Sequence, residues 1–505
     1  MTTAATSAPT ATSLDEFSDR LSPMLVKELR QGLRAKTFVI LFLTLQALLG
    51  VVLLTAVGAT SSSGDSGRTV SSIIFFFFSL AALVAQPLRG VGALHNEIKG
   101  QTIDLMVLTR LGAWRIVLGK WVAIVSQTAL LLITIFPYLI LRYFFGRMDL
   151  FAELNLLLLI FLGSAVFTAI TVGLSALPSI IIRGLVPLFL AIYLGGGIMG
   201  LTFGREIDDV IKFCSLREDG TGWALLIGAL FGGYFGWFSL GLGASIIAPM
   251  AENHSTVRRI VVICLLLIMG LIVHLADLPR AAAGAFLALI ATPALVIALT
   301  EPFQLLPPMT RPFLKMKMAG KLAGRAFYPG WPTGVIFSGL IIALCAAIFL
   351  SVPARGSRSM YSVEPALLVM LLSGTCMLIL SGLVLRILGD RIKKPMGVYI
   401  LVFVALLGIG IGLALIAAET KNDEYLWLFS WIPSSYPALI DLIQKEHYSS
   451  KSFTTTGSPD YTTLITIGVA SCIGYYLALF IIALRKFSAI RDVENEALDQ
   501  PQTES

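Results

Sequence analysis

Apolar residues along this chain come in long blocks separated by short polar stretches. Phe38 to Val57, Trp121 to Leu141, Leu154 to Leu177 and Val398 to Ala418 are each nearly continuous apolar runs. As helix, each is long enough to cross a hydrocarbon core about 30 Å thick. In that medium every backbone N–H and C=O must find a partner within the protein, so only helices or a closed barrel can span it. Barrel strands alternate apolar and polar residues; these runs do not, and the pattern predicts helices. About twelve spans follow, centred near residues 47, 80, 131, 165, 194, 235, 267, 290, 343, 377, 408 and 474. The span near 290 is the least marked, because Pro293 interrupts it and its sequence is rich in alanine. The expected fold class is all-α, a polytopic transmembrane helix bundle.

Composition agrees with the pattern. Hydrophobic residues make up 56% of the 505 and charged residues only 13%, with a mean hydropathy of +0.86, whereas a soluble domain is about one-quarter charged. The first 36 residues lack the basic and apolar regions of a signal peptide: they open Thr/Ala/Ser-rich and carry Asp15, Glu16 and Asp19. The chain divides, on this reading, into a disordered cytosolic tail (1–20), an interfacial helix (21–36), a six-span unit (37–250), a second six-span unit (251–484) and a cytosolic C-terminal tail (485–505).

Charge sets the expected orientation. With the N-terminus inside, about 25 of the 37 Lys and Arg residues fall on the cytosolic side. The dense groups are Lys27/Arg30/Arg34/Lys36, Arg110/Arg115/Lys120, Arg258/Arg259, Lys315/Lys317/Lys321/Arg325 and Arg391/Lys393/Lys394. Both termini are therefore expected in the cytoplasm of a cell with this chain in its plasma or inner membrane. Basic loops facing anionic lipid account for the net charge of +7 without a nucleic-acid partner.

Chemistry of other kinds is sparse. Cys264, Cys345, Cys376 and Cys472 lie in spans and Cys214 in an outer loop, with no paired spacing that suggests disulfides or a metal. His95, His254, His274 and His447 are scattered. Gly119-Lys120 and Gly320-Lys321 lack the spacing and hydroxyl of a phosphate-binding loop, so nucleotide hydrolysis in this chain is not expected. No paired carboxylates or nucleophile–base pair suggest an enzyme.

Two segments stand out beside the spans. In Ser22 to Lys36, Ser22 can cap a helix and Pro23 suits its first turn. Leu25, Leu29 and Leu33 recur on one face, with Val26 beside them, while Lys27, Arg30, Arg34 and Lys36 spread over the rest. That is the pattern of an amphipathic helix at the membrane surface; it serves equally as a simple anchor or as a mechanical element. The second segment, His95 to Lys120, is too apolar for a solvated loop, with Ile103, Leu105, Met106, Val107 and Leu108 clustered. Thr102 can cap a helix starting at Ile103, with Asp104 near its positive end. Its apolar side needs a cover, either a soluble partner or the chain's own basic loops.

Taken together, the two segments resemble the N-terminal half of ABC-2-type permeases, the membrane subunits of ATP-binding-cassette exporters. The shared stretch before the first span is Pro23, Lys27, Glu28, Leu29 and Arg30; that between spans two and three is Glu97, Thr102, Asp104 and Leu105, followed by Gly119-Lys120. One departure is the glycine, which stands at Gly100 with Gln101 between it and Thr102. The resemblance covers roughly residues 20 to 250. It implies an interfacial elbow helix (Pro23, Lys27, Glu28, Leu29, Arg30, Arg34) and a coupling helix near Glu97 to Thr109. In the latter, Glu97, Gly100, Thr102, Asp104, Leu105 and Met106 would receive motion from a separate cytosolic ATPase. The expected function is export powered by ATP hydrolysed on that partner, with no cofactor in this chain. Alternatives are an ATP-independent secondary transporter or a membrane scaffold. A secondary transporter commonly needs charged groups at mid-membrane, and the candidates here are Arg142, His274 and Asp277.

The second half raises two further expectations. Spans two to five begin near Val70, Trp121, Leu154 and Leu185, and spans eight to eleven near Ala281, Gly334, Ala366 and Val398. The spacing is roughly 212 residues throughout, as a degenerate tandem repeat requires. The counterpart loop, Pro302 to Thr333, has Arg311, Lys315, Lys317, Lys321 and Arg325 but no acid, so it would meet an ATPase differently or lie against anionic lipid. The outer segment Glu419 to Tyr461 crowds Tyr425, Trp427, Phe429, Trp431 and Tyr436 around Pro433 and Pro437, as expected at a membrane interface. Glycines at 195–197, 232–233 and 408, 410 and 412 are expected to allow close helix packing.

Overall fold

The computed structural model describes residues 23–59, 66–101, 112–143, 149–203, 207–249, 252–353, 363–389, 392, 394–420, 424–449 and 461–499. Among these residues every regular element is helical, and twelve helices are long and apolar enough to cross a membrane. The first six spans are Lys36–Thr55, Val70–Lys99, Ala113–Leu141, Leu150–Leu174, Ile181–Thr202 and Thr221–Ile247. The second six are His254–Leu275, Arg280–Thr300, Trp331–Ser351, Pro365–Ile387, Pro395–Ile416 and Tyr461–Leu484. Each of the twelve expected centres lies inside one of them. Pro293 is accommodated within span eight; the N–H that proline lacks is tolerated where neighbouring helices pack around the site. The chain is a multi-pass α-helical membrane protein.

Helices outside the spans, or at their ends, are labelled α1 (Pro23–Leu33), α2 (His95–Lys99, the last turn of span two), α3 (Ile207–Cys214), α4 (Pro307–Leu314), α5 (Lys317–Phe327), α6 (Glu424–Leu428), α7 (Tyr436–Ser449) and α8 (Phe487–Asp499). The C-terminal tail is thus partly helical: α8 buries Ile490, Glu494 and Ala497.

The chain folds as two compact units, Met1–Ala248 and Pro249–Ser505. In the first, span one packs on two and three, span two on four and five, span three on six, and span four most extensively on six. In the second, span seven packs on eight and nine, eight on ten and eleven, nine on twelve, and ten most extensively on twelve. A short helix ahead of each unit's last span, α3 or α7, rests on its fourth span. The units differ in that span three also packs broadly on span four, while span eight packs on span nine, and span ten on span eleven, more broadly than their counterparts do.

Lipid cannot sort apolar side chains as water does, so packing and polar contacts decide which faces meet. Leu45, Leu49 and Leu53 of span one and Ile74, Phe75 and Phe78 of span two are buried, while the equally apolar Ile40, Leu43 and Leu54 face outward. Small residues mark the closest approaches. A Cβ on Gly173 of span four would stand 2.0 Å from the Ser239 carbonyl of span six, and one on Gly334 of span nine 2.0 Å from the Ala298 carbonyl of span eight. Polar side chains reach between helices to backbone acceptors: Trp121 Nε1 donates to Ala165 O (2.8 Å) and Tyr476 Oη to Val335 O (3.0 Å). Such bonds contribute about 0.6–2 kcal/mol each.

Several expectations change. Gly195, Gly196 and Gly197 meet nothing, whereas Gly232 abuts Val166 and Gly410 abuts the Ser434 carbonyl. Cys214 ends α3 with 1% exposure and belongs to the first unit's core, because α3 folds its apolar side onto span four. Burial also pushes its thiol pKa up. The aromatic segment before span twelve is half core: Leu426, Tyr436 and Leu439 are buried with Val369 and Leu464, while Trp431 stays 55% exposed. Residues 450–460 of its polar tip lie outside the described residues.

Candidate functional site

Span two is the least regular of the helices. Its first part widens into a π-helical stretch at Leu80–Ala85, then Pro87 follows, and a 3-10 turn covers Arg89–Gly92. Proline lacks the N–H that would bond four residues back, and a widened turn is one way to absorb the gap. Gly90 fits against span four, where a Cβ would meet Thr171 Oγ1 at 2.5 Å. The chain then turns at Leu94, whose N–H donates to Ser175 Oγ at the end of span four (3.0 Å). α2 begins there, held over a core of Leu94, Ile116, Val117, Val172, Leu240 and Ala244.

This turn brings three charged side chains together. Lys120, in the early turns of span three, donates from Nζ to Glu28 Oε1 of α1 (3.1 Å) and to Glu97 Oε1 of α2 (3.0 Å). The side chains are 7%, 14% and 21% exposed respectively, so the ion pairs are shielded from water and counterions. One ammonium therefore links the amphipathic helix, the exit of span two and the entry of span three. The sequence marks Glu28 and Glu97 separately; their common partner is the lysine of the Gly119-Lys120 pair.

A second polar group lies deeper. Arg89 Nη1 donates to Gln86 Oε1 (2.9 Å) and to Gln127 Oε1, with its guanidinium over the Phe38 ring at 5.6 Å. Gln86 and Gln127 are 0% and 1% exposed. α1 approaches closely: a Cβ on Gly32 would stand 2.2 Å from Gln127 Nε2. Glu28 and Gly32, one turn apart, thus form an inward face of α1 against span three. The charged candidates named from the sequence, Arg142, His274 and Asp277, did not include Arg89, because it sits beside a Gly-rich turn that reads as a loop.

On the other side of α1, Lys27, Arg30 and Arg34 are exposed and line an open cleft of about 800 Å³ with Val26, Gln31 and Ala35. Leu29 is half-buried, and Pro23 opens the helix. Gly100 ends α2 at φ −80° and ψ 0°, a conformation open to any residue, while Gln101 takes the left-handed φ of 55°. The glycine is therefore displaced from the position that needs one. Thr102, Asp104, Leu105 and Met106 lie outside the described residues, as does the helix expected from Ile103.

The second unit has a counterpart at the same three stations. Arg259, at the start of span seven, donates to Ala326 O (2.9 Å), Tyr328 O (2.7 Å), Gly330 O (3.1 Å), Thr333 Oγ1 (3.0 Å) and Glu301 Oε2 (3.0 Å). Glu301 follows span eight and Thr333 opens span nine. Gly330, at φ 115°, donates its N–H to Glu301 Oε2 (3.0 Å); only glycine holds that backbone without strain. Arg258 and Arg259, expected at the lipid surface, are 8% and 3% exposed and tie helices together instead. Among the described residues no group of three His, Cys, Asp or Glu could hold a metal ion.

By architecture, then, this is a multi-pass helical membrane protein, with twelve candidate spans among the described residues and a shielded ionic node at the matching end of each unit. No family model, curated protein or solved structure matches the chain.

Proposed function

We propose that the chain is the permease subunit of an ATP-driven exporter of the ABC-2 type, moving its substrate outward with ATP hydrolysed by a separate cytosolic ATPase. The observation that carries this reading is the Lys120 node. A coupling element must pass a displacement from the segment after span two to the spans themselves. Here a single ammonium joins the root of that segment at Glu97 to span three and to α1 at Glu28, so a push on residues 102–111 has a short route into three elements. The basic ends of both units face the cytosol on this reading, with both termini inside. The shared packing order supports two permease halves in one chain, and one permease chain per two ATPase chains. Native mass spectrometry of the complex extracted from its own membrane tests this: a 1:2 assembly is expected, and two permease chains per complex would remove the two-halves reading. A cysteine introduced at Ser458 should react with an impermeant reagent from outside, and one at Thr503 should not.

The buried Arg89–Gln86–Gln127 group gives a specific reason to weigh an ATP-independent carrier, since a cation inside a span is a common ion or substrate site. Its partners are neutral amides rather than a titrating carboxylate, which suits a fixed structural charge better than a proton relay. Vanadate-insensitive transport by the intact complex would favour the carrier.

A further inference from the structure

The cytosolic loop of the second unit carries an apolar stripe that the fold leaves uncovered. Span eight ends at Thr300 and span nine starts at Trp331, and Trp331 N donates to Glu301 O (3.2 Å). The two ends of the intervening segment therefore meet at one point, where span eight ends and span nine begins. α4 is covered: Leu305, Met309 and Tyr328 form a small core with Ile490 of α8. α5 turns its glycine side inward. A Cβ on Gly320 would stand 1.8 Å from Phe313 O, and one on Gly324 2.4 Å from the Tyr328 ring. The opposite side presents Met318 and Leu322, one turn apart and 87% and 74% exposed, with Met316 at 65%. Lys315 and Lys321 flank this stripe, and no acidic residue occurs between Glu301 and Glu364.

We propose that α5 is an in-plane membrane helix: the stripe of Met318 and Leu322, with Met316 just before the helix, sits at the acyl boundary, and Lys315 and Lys321 bind the phosphates of anionic phospholipid. An apolar stripe bounded by cations is what such helices show, the lysine stems lying on the acyl region and the ammoniums reaching the headgroups. Charge decides the occupant. A leaflet of anionic lipid matches a segment with cations only, while Glu97 and Asp104 in the first unit's loop offer acids as well. The two loops are thus assigned different tasks, the first to a protein partner and the second to lipid. The assignment of α5 does not rest on the exporter reading.

The test places a photoreactive p-benzoylphenylalanine at Met318, and separately at Leu322, in the full chain. The protein is irradiated in nanodiscs of phosphatidylcholine with about 30% phosphatidylglycerol and in its native membrane. The expected product is the chain plus one phospholipid, with the phosphatidylglycerol-to-phosphatidylcholine ratio among the adducts about fivefold above the bulk ratio. That enrichment should fall to the bulk ratio in the K315Q/K321Q variant. A cross-link from either position to another polypeptide in the native membrane would overturn the proposal and make α5 a protein-docking helix. Absence of any lipid adduct, or phosphatidylglycerol enrichment unchanged in K315Q/K321Q, would also overturn it.

Discussion

Replacing Lys120 by Met removes a cation that contacts both carboxylates. Glu28 and Glu97 each contact the same nitrogen, at 3.1 and 3.0 Å, so their oxygens lie within about 6 Å of each other. Two like charges at about 6 Å and an effective dielectric near 20 repel by about 3 kcal/mol. Two charge-assisted hydrogen bonds go as well, but Glu28 and Glu97 keep 14% and 21% exposure, and water reaching them offsets part of the loss. The net local cost is about 2–4 kcal/mol. At 3 kcal/mol the equilibrium for opening α2 rises roughly 150-fold. Hydrogen exchange reads this directly at Ile98 and Gly100, whose N–H groups bond to Leu94 O (2.9 Å) and Asn96 O (3.0 Å). Exchange there should quicken by about two orders of magnitude in Lys120→Met. In the neutral triple variant K120Q/E28Q/E97Q it should return close to the wild-type rate, since hydrogen bonds remain and the repulsion is gone. Exchange in Lys120→Met within about threefold of wild type would refute the reasoning; so would failure of the triple variant to restore protection.

Three further outcomes follow from the packing. Arg259→Lys keeps the charge but cannot reproduce a planar fork that serves five acceptors, and should lower stability by about 3 kcal/mol or more, read as a large drop in the thermal midpoint of the detergent-solubilised chain; an unchanged midpoint would count against the second node. Gly410→Ala drives a Cβ to 2.3 Å from the Ser434 carbonyl and should cost about 1–3 kcal/mol, whereas Gly412→Ala meets nothing and should gain about 0.5–1 kcal/mol from helix propensity; shifts of the same sign would contradict the contact. Cys214, packed under α3, should resist an impermeant maleimide in native membranes and react only after denaturation, and fast native labelling would show that α3 is not seated on span four.

How much of this was legible in the sequence depended on the length scale of the signal. Span positions were readable because about twenty apolar residues in a row have one physical use. The expected tandem repeat rested on equal spacing alone, and the packing order within each unit is not legible from spacing. Side-chain partnerships were not readable in that way. The charges of Arg258, Arg259 and Lys120 look the same in a sequence whether they face lipid or satisfy carbonyls, and the buried outcome depends on helix ends brought together from residues far apart. One glycine run misled for a related reason: Gly195 to Gly197 look like a packing face yet meet nothing, whereas Gly232 and Gly410 of the other runs, and isolated glycines such as Gly173 and Gly334, lie at close approaches. Glu28 and Glu97 were picked out by a family resemblance, and only the position of Lys120 between them gave those residues a common task.

The most direct test of the central claim is to purify the tagged chain from its native membrane and ask whether an ATP-hydrolysing polypeptide travels with it. The exporter reading expects vanadate-sensitive ATPase activity to co-elute with the wild-type chain. It expects that activity to be lost in Leu105→Asp and Met106→Asp, while both variants still reach the membrane and keep the wild-type thermal midpoint. A chain that purifies without any ATPase, or one whose ATPase stays bound to both aspartate variants, would contradict it.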